Sequence, residues 1–211
     1  MSPERRVPRH PPGRSGRLWL QRRLVTARRG AGLLDLKLLL LRREEERFTA
    51  LALRTGALWE ERCTEAARWL LRAAVVGGQR SLRPDGRSES AAVDISWASV
   101  MGVRYPASAT CRIPPEPPSA WVSASAAVPL AVAAYRAALD AGVAHAVAQA
   151  AARVVAAEVL TTRGRLRAIE DRWIPELEAG LHALDVALDE LERAEGVRLR
   201  WAVRQRGAKN P

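Results

Sequence analysis

The side chains of this chain that are equipped for chemistry are few and widely scattered. Histidine occurs three times, as His10, His145 and His182, and cysteine twice, as Cys63 and Cys111. None of these stands at the short intervals from another that zinc or transition-metal ligands require, and there is no Cys-x-x-Cys pair. Each histidine is therefore expected to be a solvated or helix-surface residue, and each cysteine a packed or idle thiol. The pair Gly77-Gly78 is not followed by Gly-Lys-Ser/Thr, so it cannot cradle phosphate and reads as a helix stop. Adjacent acids such as Glu170-Asp171 and Asp189-Glu190 are of the type used in general acid–base catalysis. They sit among leucines at three- and four-residue intervals, however, which makes them the wet flank of a helix. The expectation is a non-catalytic protein with no cofactor and no metal site.

The elements that position these residues are set by proline. Pro3, Pro8, Pro11 and Pro12 crowd the start, six prolines fall between Pro84 and Pro118, and after Pro129 only Pro175 precedes the terminal Pro211. Two long stretches are thus free to be helical and the middle is not. The first, residues 16–76, carries apolar or small residues at alternating steps of four and three: Leu20, Leu24, Ala27, Ala31, Leu34, Leu38, Leu41, Phe48, Ala52, Trp59, Ala66, Trp69 and Ala73. A seam sustained this long is a heptad pattern. Glu45, Thr55 and Arg62 interrupt it, as polar residues do where register is set or a partner is met. The second stretch, residues 127–205, is alanine-rich at first and then leucine-spaced through Leu166, Ile169, Trp173, Leu177, Leu181, Leu184, Leu188 and Leu191. Its spacing slips to four-four around Pro175, which predicts a kink or a loosened turn there.

Between the two lies a Gly-, Pro- and Ser-rich segment, 77–126, with one β-leaning piece, ISWASVMGVRYP. The fold class expected is all-α: a long antiparallel two-helix coiled coil of N- and C-terminal helices, with a short irregular or β-hairpin segment at the turn end. Helices of these lengths would extend about 90 and 110 Å at 1.5 Å per residue, and neither could bury its seam without the other. The ends, 1–15 and 206–211, read as basic tails, the first proline-rich and disordered.

Composition excludes other classes. Aromatics make up 5% of the 211 residues, too few for an ordinary β-sandwich or barrel. The uncharged run from Pro117 to Tyr135 has the length of a membrane span, but its prolines, serines and alanines argue against one. With no apolar leader at its start, the chain reads as cytosolic. The net charge of +11 is local, with 17 basic against 8 acidic residues in 1–76, 5 against 4 in 77–126 and 12 against 11 in 127–211. Arginines of the first helix and acids of the second oppose each other if the helices run antiparallel, placing Arg23 near Glu192. Uncompensated arginines remain at both termini and make one positive tip. Trp59, Trp69 and Trp173 fit the seam and are expected in the core. Trp19, Trp97, Trp121 and Trp201 do not fit it, and large apolar groups outside a coil mark contacts with another protein. A basic helical hairpin that binds nucleic acid is an alternative class, although both signs of charge alternate along the helices and the aromatics do not interleave with the basic residues. A coiled-coil adaptor or chaperone is a third, which pattern alone does not separate.

The motifs themselves resemble a known family. PPGRSGRLWLQRRLVTARRGAGLLDLKLLLLRREEERF is similar to the opening of the central-stalk D subunit of V-type and archaeal-type ATPases, through Pro12, Arg17, Leu20, Leu24, Ala27, Gly30, Leu33, Leu34 and Lys37. SVMGVRYP resembles its middle motif through Gly102, Val103 and Pro106. TTRGRLRAIEDRWIPELEAGLHALDVALDELERAEGVRLR resembles its C-terminal motif through Thr162, Arg165, Ala168, Ile169, Glu170, Ile174, Pro175, Leu177, Leu188, Glu190, Glu192, Arg193, Arg198 and Leu199. Leu38 and Leu39 stand where the family has Arg-Asp, and Arg167 where it has Asn.

The resemblance implies a rotor shaft that couples ATP hydrolysis or synthesis in a catalytic ring to proton or sodium transport. The shaft itself binds no nucleotide and no nucleic acid. Its partners would be catalytic and regulatory ring subunits, a small stalk subunit and a membrane-ring adaptor. It would lie in the cytoplasm, peripheral to the cell membrane and not inserted in it. Arg17, Trp19, Leu20, Arg23, Arg198, Arg200 and Trp201 would form the bearing inside the ring. Gly102, Val103, Tyr105 and Pro106 would meet the membrane-side stalk.

Overall fold

The structure is a computed structural model and describes residues 11–78, 90–114 and 126–207. His10, Trp121, the terminal cluster Arg5, Arg6, Arg9 and Lys209, and most of the tails expected over 1–15 and 206–211 lie outside the described residues. The elements in chain order are α1 (Gly13–Gly77), β1 (Ala92–Val100), β2 (Val103–Arg112), α2 (Ala127–Ala168), a π-helical turn (Ile169–Trp173) and α3 (Ile174–Gly207). The fold is the all-α antiparallel helix pairing with a small hairpin that the heptad pattern predicts.

α1 is one uninterrupted helix of 65 residues, free of proline throughout. It ends at the Gly77-Gly78 pair, where Gly78 takes φ +70°, a left-handed conformation that a side chain would strain. The interior threonines do not break it, because their hydroxyls donate back to carbonyls one turn earlier: Thr26 to Arg22 and Thr64 to Glu60, both at 2.9 Å. The chain divides into two units: residues up to Leu38 with those from Thr161 onward, and Leu39–Leu160.

In the first unit α1 packs against α3. Leu20, Leu24 and Leu177 form a buried cluster, against which Trp19, Ala27, Ile174, Leu181 and Leu184 pack. Three ion pairs fix the direction: Arg14 with Glu192 at 3.0 Å, Arg17 with Asp185 at 2.8 Å and Arg28 with Glu178 at 2.7 Å. Residue numbers rise along α1 as they fall along α3, so the helices are antiparallel. The expected pairing of Arg23 with Glu192 is corrected. Glu192 takes Arg14 instead, about two and a half turns earlier in α1, because the leucine packing and not the charges sets the stagger.

The loosened turn expected near Pro175 is a π-turn. The backbone N–H of Ile174 bonds to the carbonyl of Ile169 five residues earlier, and Pro175, which follows, has no N–H to resume the ladder. The extra residue moves the seam on by one: after half-buried Ile169, the next residue of the core is Ile174, then buried Leu177 and Gly180. Trp173 is consequently turned out, 53% exposed, which corrects its expected place in the core.

In the second unit α1 packs against α2 through small residues. Ala73, Val128 and Ala131 are buried together, with Trp69 and Ala127 against them, and Ala66, Ala138, Ala148, Ala151, Val155 and Val159 are buried along the same pair of helices. Small side chains allow close interaxial approach. The continuous helix from Ala127 to Arg206 contains a window that, by length and composition alone, could cross a membrane, with mean hydropathy 1.4 and 22% of it buried. Alanine supplies much of that hydropathy.

The hairpin belongs to this second unit. Val100 pairs with Val103, and the two residues between them, Met101 and Gly102, have φ +50° and +80°, the tight turn that matches the twist of antiparallel strands. Ala107 is an extra residue in β2, since Ser96 pairs with Ser108 and Trp97 with Pro106. The bulge sits beside Pro106, which has no N–H to give the ladder.

Candidate functional site

The residues expected to form the bearing all fall in the first unit, and the structure gives them different tasks. Leu20 is fully buried at the centre of the Leu20–Leu24–Leu177 cluster. It braces α1 against α3 and presents no surface. Trp19 is half-buried on the same cluster, and the Arg23 guanidinium lies 4.7 Å from its ring centroid, a cation–π contact that holds both side chains at the surface. Arg17 is tied to Asp185. Trp19 and Arg23 share one side of α1, while Arg17, about 200° round the helix from Trp19, flanks the buried Leu20 on the other.

Arg198, Arg200 and Trp201 lie further along α3, beyond Glu192, the residue that meets Arg14 near the start of α1. From Leu191 to Arg206 every residue except Gly196 is exposed, and Trp201 is 64% exposed. Arg200 donates from Nε to the carbonyl of Gly196 at 3.2 Å, which folds its side chain along the helix. Leu199 and Val203 are exposed on the same stretch. Arginines alternating with large apolar groups suit a surface that is both charged and apolar.

Of the motif residues, Arg165, Glu170, Glu190 and Arg193 are exposed, Glu192 holds Arg14, and Ile169 and Pro175 are half-buried at the π-turn. The motif therefore encodes a helical irregularity and an inter-helix ion pair.

The hairpin residues sort in the same way. Tyr105 is buried, with its ring edge-on to Phe48 of α1 at a centroid distance of 4.8 Å and 61°, and the Arg47 guanidinium lies 4.7 Å from the centroid of the Phe48 ring. Pro106 is also buried. Tyr105 faces inward and anchors the hairpin on α1 through Phe48, whereas Pro106 lies opposite Trp97 across the ladder. Gly102 makes the exposed turn and Val103 is half-buried beside it. The outward residues are Val93, Ile95 and Trp97, all close to half exposed, with Arg104 stacked on Trp97 at 4.8 Å. Of this row the sequence reading singled out only Trp97, as a contact outside the coil, and missed Val93 and Ile95, although alternate spacing in β1 is the signal of a strand face.

His145, expected at a solvated surface, is instead wedged, half-buried, between α2 and α1. Trp59, expected in the core, is 40% exposed and stacks on His145 at 5.6 Å and 18°. Among the described residues no three His, Cys, Asp or Glu side chains gather in a way that could hold a metal ion.

Comparison with known proteins agrees with these motifs. The sequence model of the family described as the ATP synthase D subunit matches residues 18–204. The D subunit of the A-type ATP synthase of Thermococcus kodakarensis is 32% identical over 194 residues, covering 90% of this chain and 91% of that protein. The D subunit of the V-type ATP synthase of Thermotoga neapolitana is 31% identical over 194 residues, covering 90% and 94%. With its hairpin, its π-turn motif and all but the outermost residues of its two arms inside the matched range, this chain belongs to the ATP synthase D-subunit family of the A- and V-type complexes.

Proposed function

We propose that this chain is the central rotor shaft of a V/A-type rotary ATPase, a non-catalytic subunit that couples ATP hydrolysis or synthesis in a ring of catalytic and regulatory subunits to proton or sodium transport. The observation that carries the reading is the antiparallel pairing of α1 with α3, and of α1 with α2, along a single unbroken α1 in a member of the D-subunit family. Paired helices with interlocking side chains resist twisting, which is what torque transmission demands. Two unlike helices also present a different face in each direction. A ring subunit touching the leucine- and arginine-bearing side meets other contacts than its neighbours do, and differential contact is what shifts a conformational equilibrium.

On this reading Arg17, Trp19, Arg23, Arg198, Arg200 and Trp201 are the bearing surface, with Leu20 bracing it from within. The exposed Val93–Ile95–Trp97 row, with Pro106 opposite Trp97, and the Gly102 turn with Val103 beside it face a small stalk subunit or the membrane-ring adaptor, and Tyr105 holds the hairpin on α1. The protein is peripheral to the cell membrane as part of the complex. Affinity purification of the tagged chain from native membranes tests the assignment: nucleotide-binding ring subunits should come with it in fixed stoichiometry. Recovery with nucleic acid alone, released by salt, would overturn it.

A further inference from the structure

Midway along the alanine-rich pairing of the second unit, α1 and α2 exchange two large rings across two glycines. His145 of α2 lies over Gly56 of α1, where an added Cβ would stand 3.1 Å from its Cε1 and 3.3 Å from its Nδ1. One turn further along α1, Trp59 lies over Gly142, one turn back in α2, where a Cβ would stand 3.0 Å from the indole Nε1. The two rings stack on each other. Because the helices are antiparallel, the arrangement is reciprocal: ring over glycine, glycine under ring.

A polar contact closes it. His145 Nδ1 is 3.1 Å from the carbonyl oxygen of Ala52 and 3.4 Å from Thr55 Oγ1. The Thr55 hydroxyl has acceptors in its own helix, the carbonyls of Leu51 at 2.9 Å and Ala52 at 3.2 Å. The partners therefore assign the proton to Nδ1, which donates across the interface to Ala52. Thr55 and His145 are both half-buried.

Around this contact the seam is mostly small, with Leu41, Phe48, Val128, Val155 and Val159 the larger buried residues of the unit's helices. Ala66, Ala73, Ala131, Ala138, Ala148 and Ala151 are buried in it, and an alanine seam shifted by a turn or a heptad again sets alanine near alanine. Such a surface packs closely but distinguishes staggers poorly. We propose that the Thr55–His145 contact, bracketed by Trp59 over Gly142 and His145 over Gly56, is a register lock that selects the axial stagger of α1 on α2. In any other stagger the imidazole N–H would lose the Ala52 carbonyl and each ring would meet a Cβ. The lock contributes specificity more than stability, as single polar residues do in other coiled coils. It stands on the geometry of this unit alone, whatever partners the chain has.

Paired spin labels on the full chain test it. One label goes on Cys63, which is exposed, the other on exposed Gln149 as Gln149→Cys, with Cys111→Ser. Pulsed dipolar spectroscopy should give one narrow distance. His145→Leu, with its helical circular dichroism retained, should broaden or split that distance. His145→Asn, which can hold an N–H at the height of Nδ1, should narrow it again. A narrow distance in His145→Leu overturns the proposal, because stagger is then set elsewhere. A broad distance in both variants also overturns it, because ring shape and not the hydrogen bond is then decisive. Loss of helicity in His145→Leu counts equally against it, since the contact would then hold up the fold instead of choosing among registers.

Discussion

Glycines in this chain that look equivalent in sequence are opposed in structure, and the contrast gives a residue-scale measurement. Gly32 and Gly164 have nothing within 4 Å of an added Cβ, so alanine at either should stabilise the helix by about 0.5–1 kcal/mol through backbone entropy. At Gly142 the same added methyl meets Trp59 Nε1 at 3.0 Å. Overpacking there costs about 1–3 kcal/mol, which exceeds the helix gain, and the net effect should be loss. Thermal melts of Gly32→Ala and Gly142→Ala should move in opposite directions; equal shifts would mean that the ring yields freely. Leu20 is the other decisive residue. Fully buried against Leu24 and Leu177, it should lose about 2–5 kcal/mol on truncation to alanine, whereas Arg28→Ala, which removes an exposed ion pair with Glu178, should lose no more than about 1 kcal/mol. Chemical denaturation separates the two.

The π-turn makes the element-scale case. A π-turn amounts to one residue inserted into an α-helix. Deleting Glu170 should convert Ile169–Trp173 into an ordinary turn and leave the chain helical with a cooperative melt. Deleting Arg165, in the regular helix a turn earlier, should rotate the following seam by about 100° and abolish cooperative melting of the first unit. Equal damage from both deletions would contradict the insertion reading. Much of this was legible beforehand. The steps of four and three from Leu20 to Ala73 fall on residues that are buried or half-buried, Trp59 excepted, because period is a property of the backbone helix and survives whatever packs on it. The slip of spacing at Pro175 announced the turn, but not that Ile174 would replace Trp173, because that depends on which hydrogen bond is skipped. Stagger was illegible as well: Arg23 could be placed opposite Glu192 only by assuming where the ends align, and exposed charges are too weak to decide it. For the hairpin, the strand-leaning composition was visible. Its inward face was not, since Tyr105 finds Phe48 fifty-seven residues away.

At the scale of the whole molecule, positive charge is the property most exposed to test. The excess lies in residues 1–76 and the body of the C-terminal arm is close to neutral, yet Arg198, Arg200, Arg204 and Arg206 cluster late in α3. The double reversal Arg198→Glu/Arg200→Glu should lower ATP-driven ion pumping or assembly of the complex while leaving the isolated protein's melting temperature unchanged, because neither side chain touches the Leu20 core. Unimpaired pumping would remove this stretch from the bearing.

The same stretch carries a further consequence. Most helical stability in a protein comes from tertiary packing, and beyond the Glu192–Arg14 pair Leu191–Arg206 is bare on nearly all sides, so this end of α3 is the part that frays most readily. Its backbone amides should trade hydrogen for deuterium quickly in the free protein and, on the proposed function, slowly once a ring covers them, so the degree of protection there becomes a built-in gauge of how many copies in a preparation have assembled.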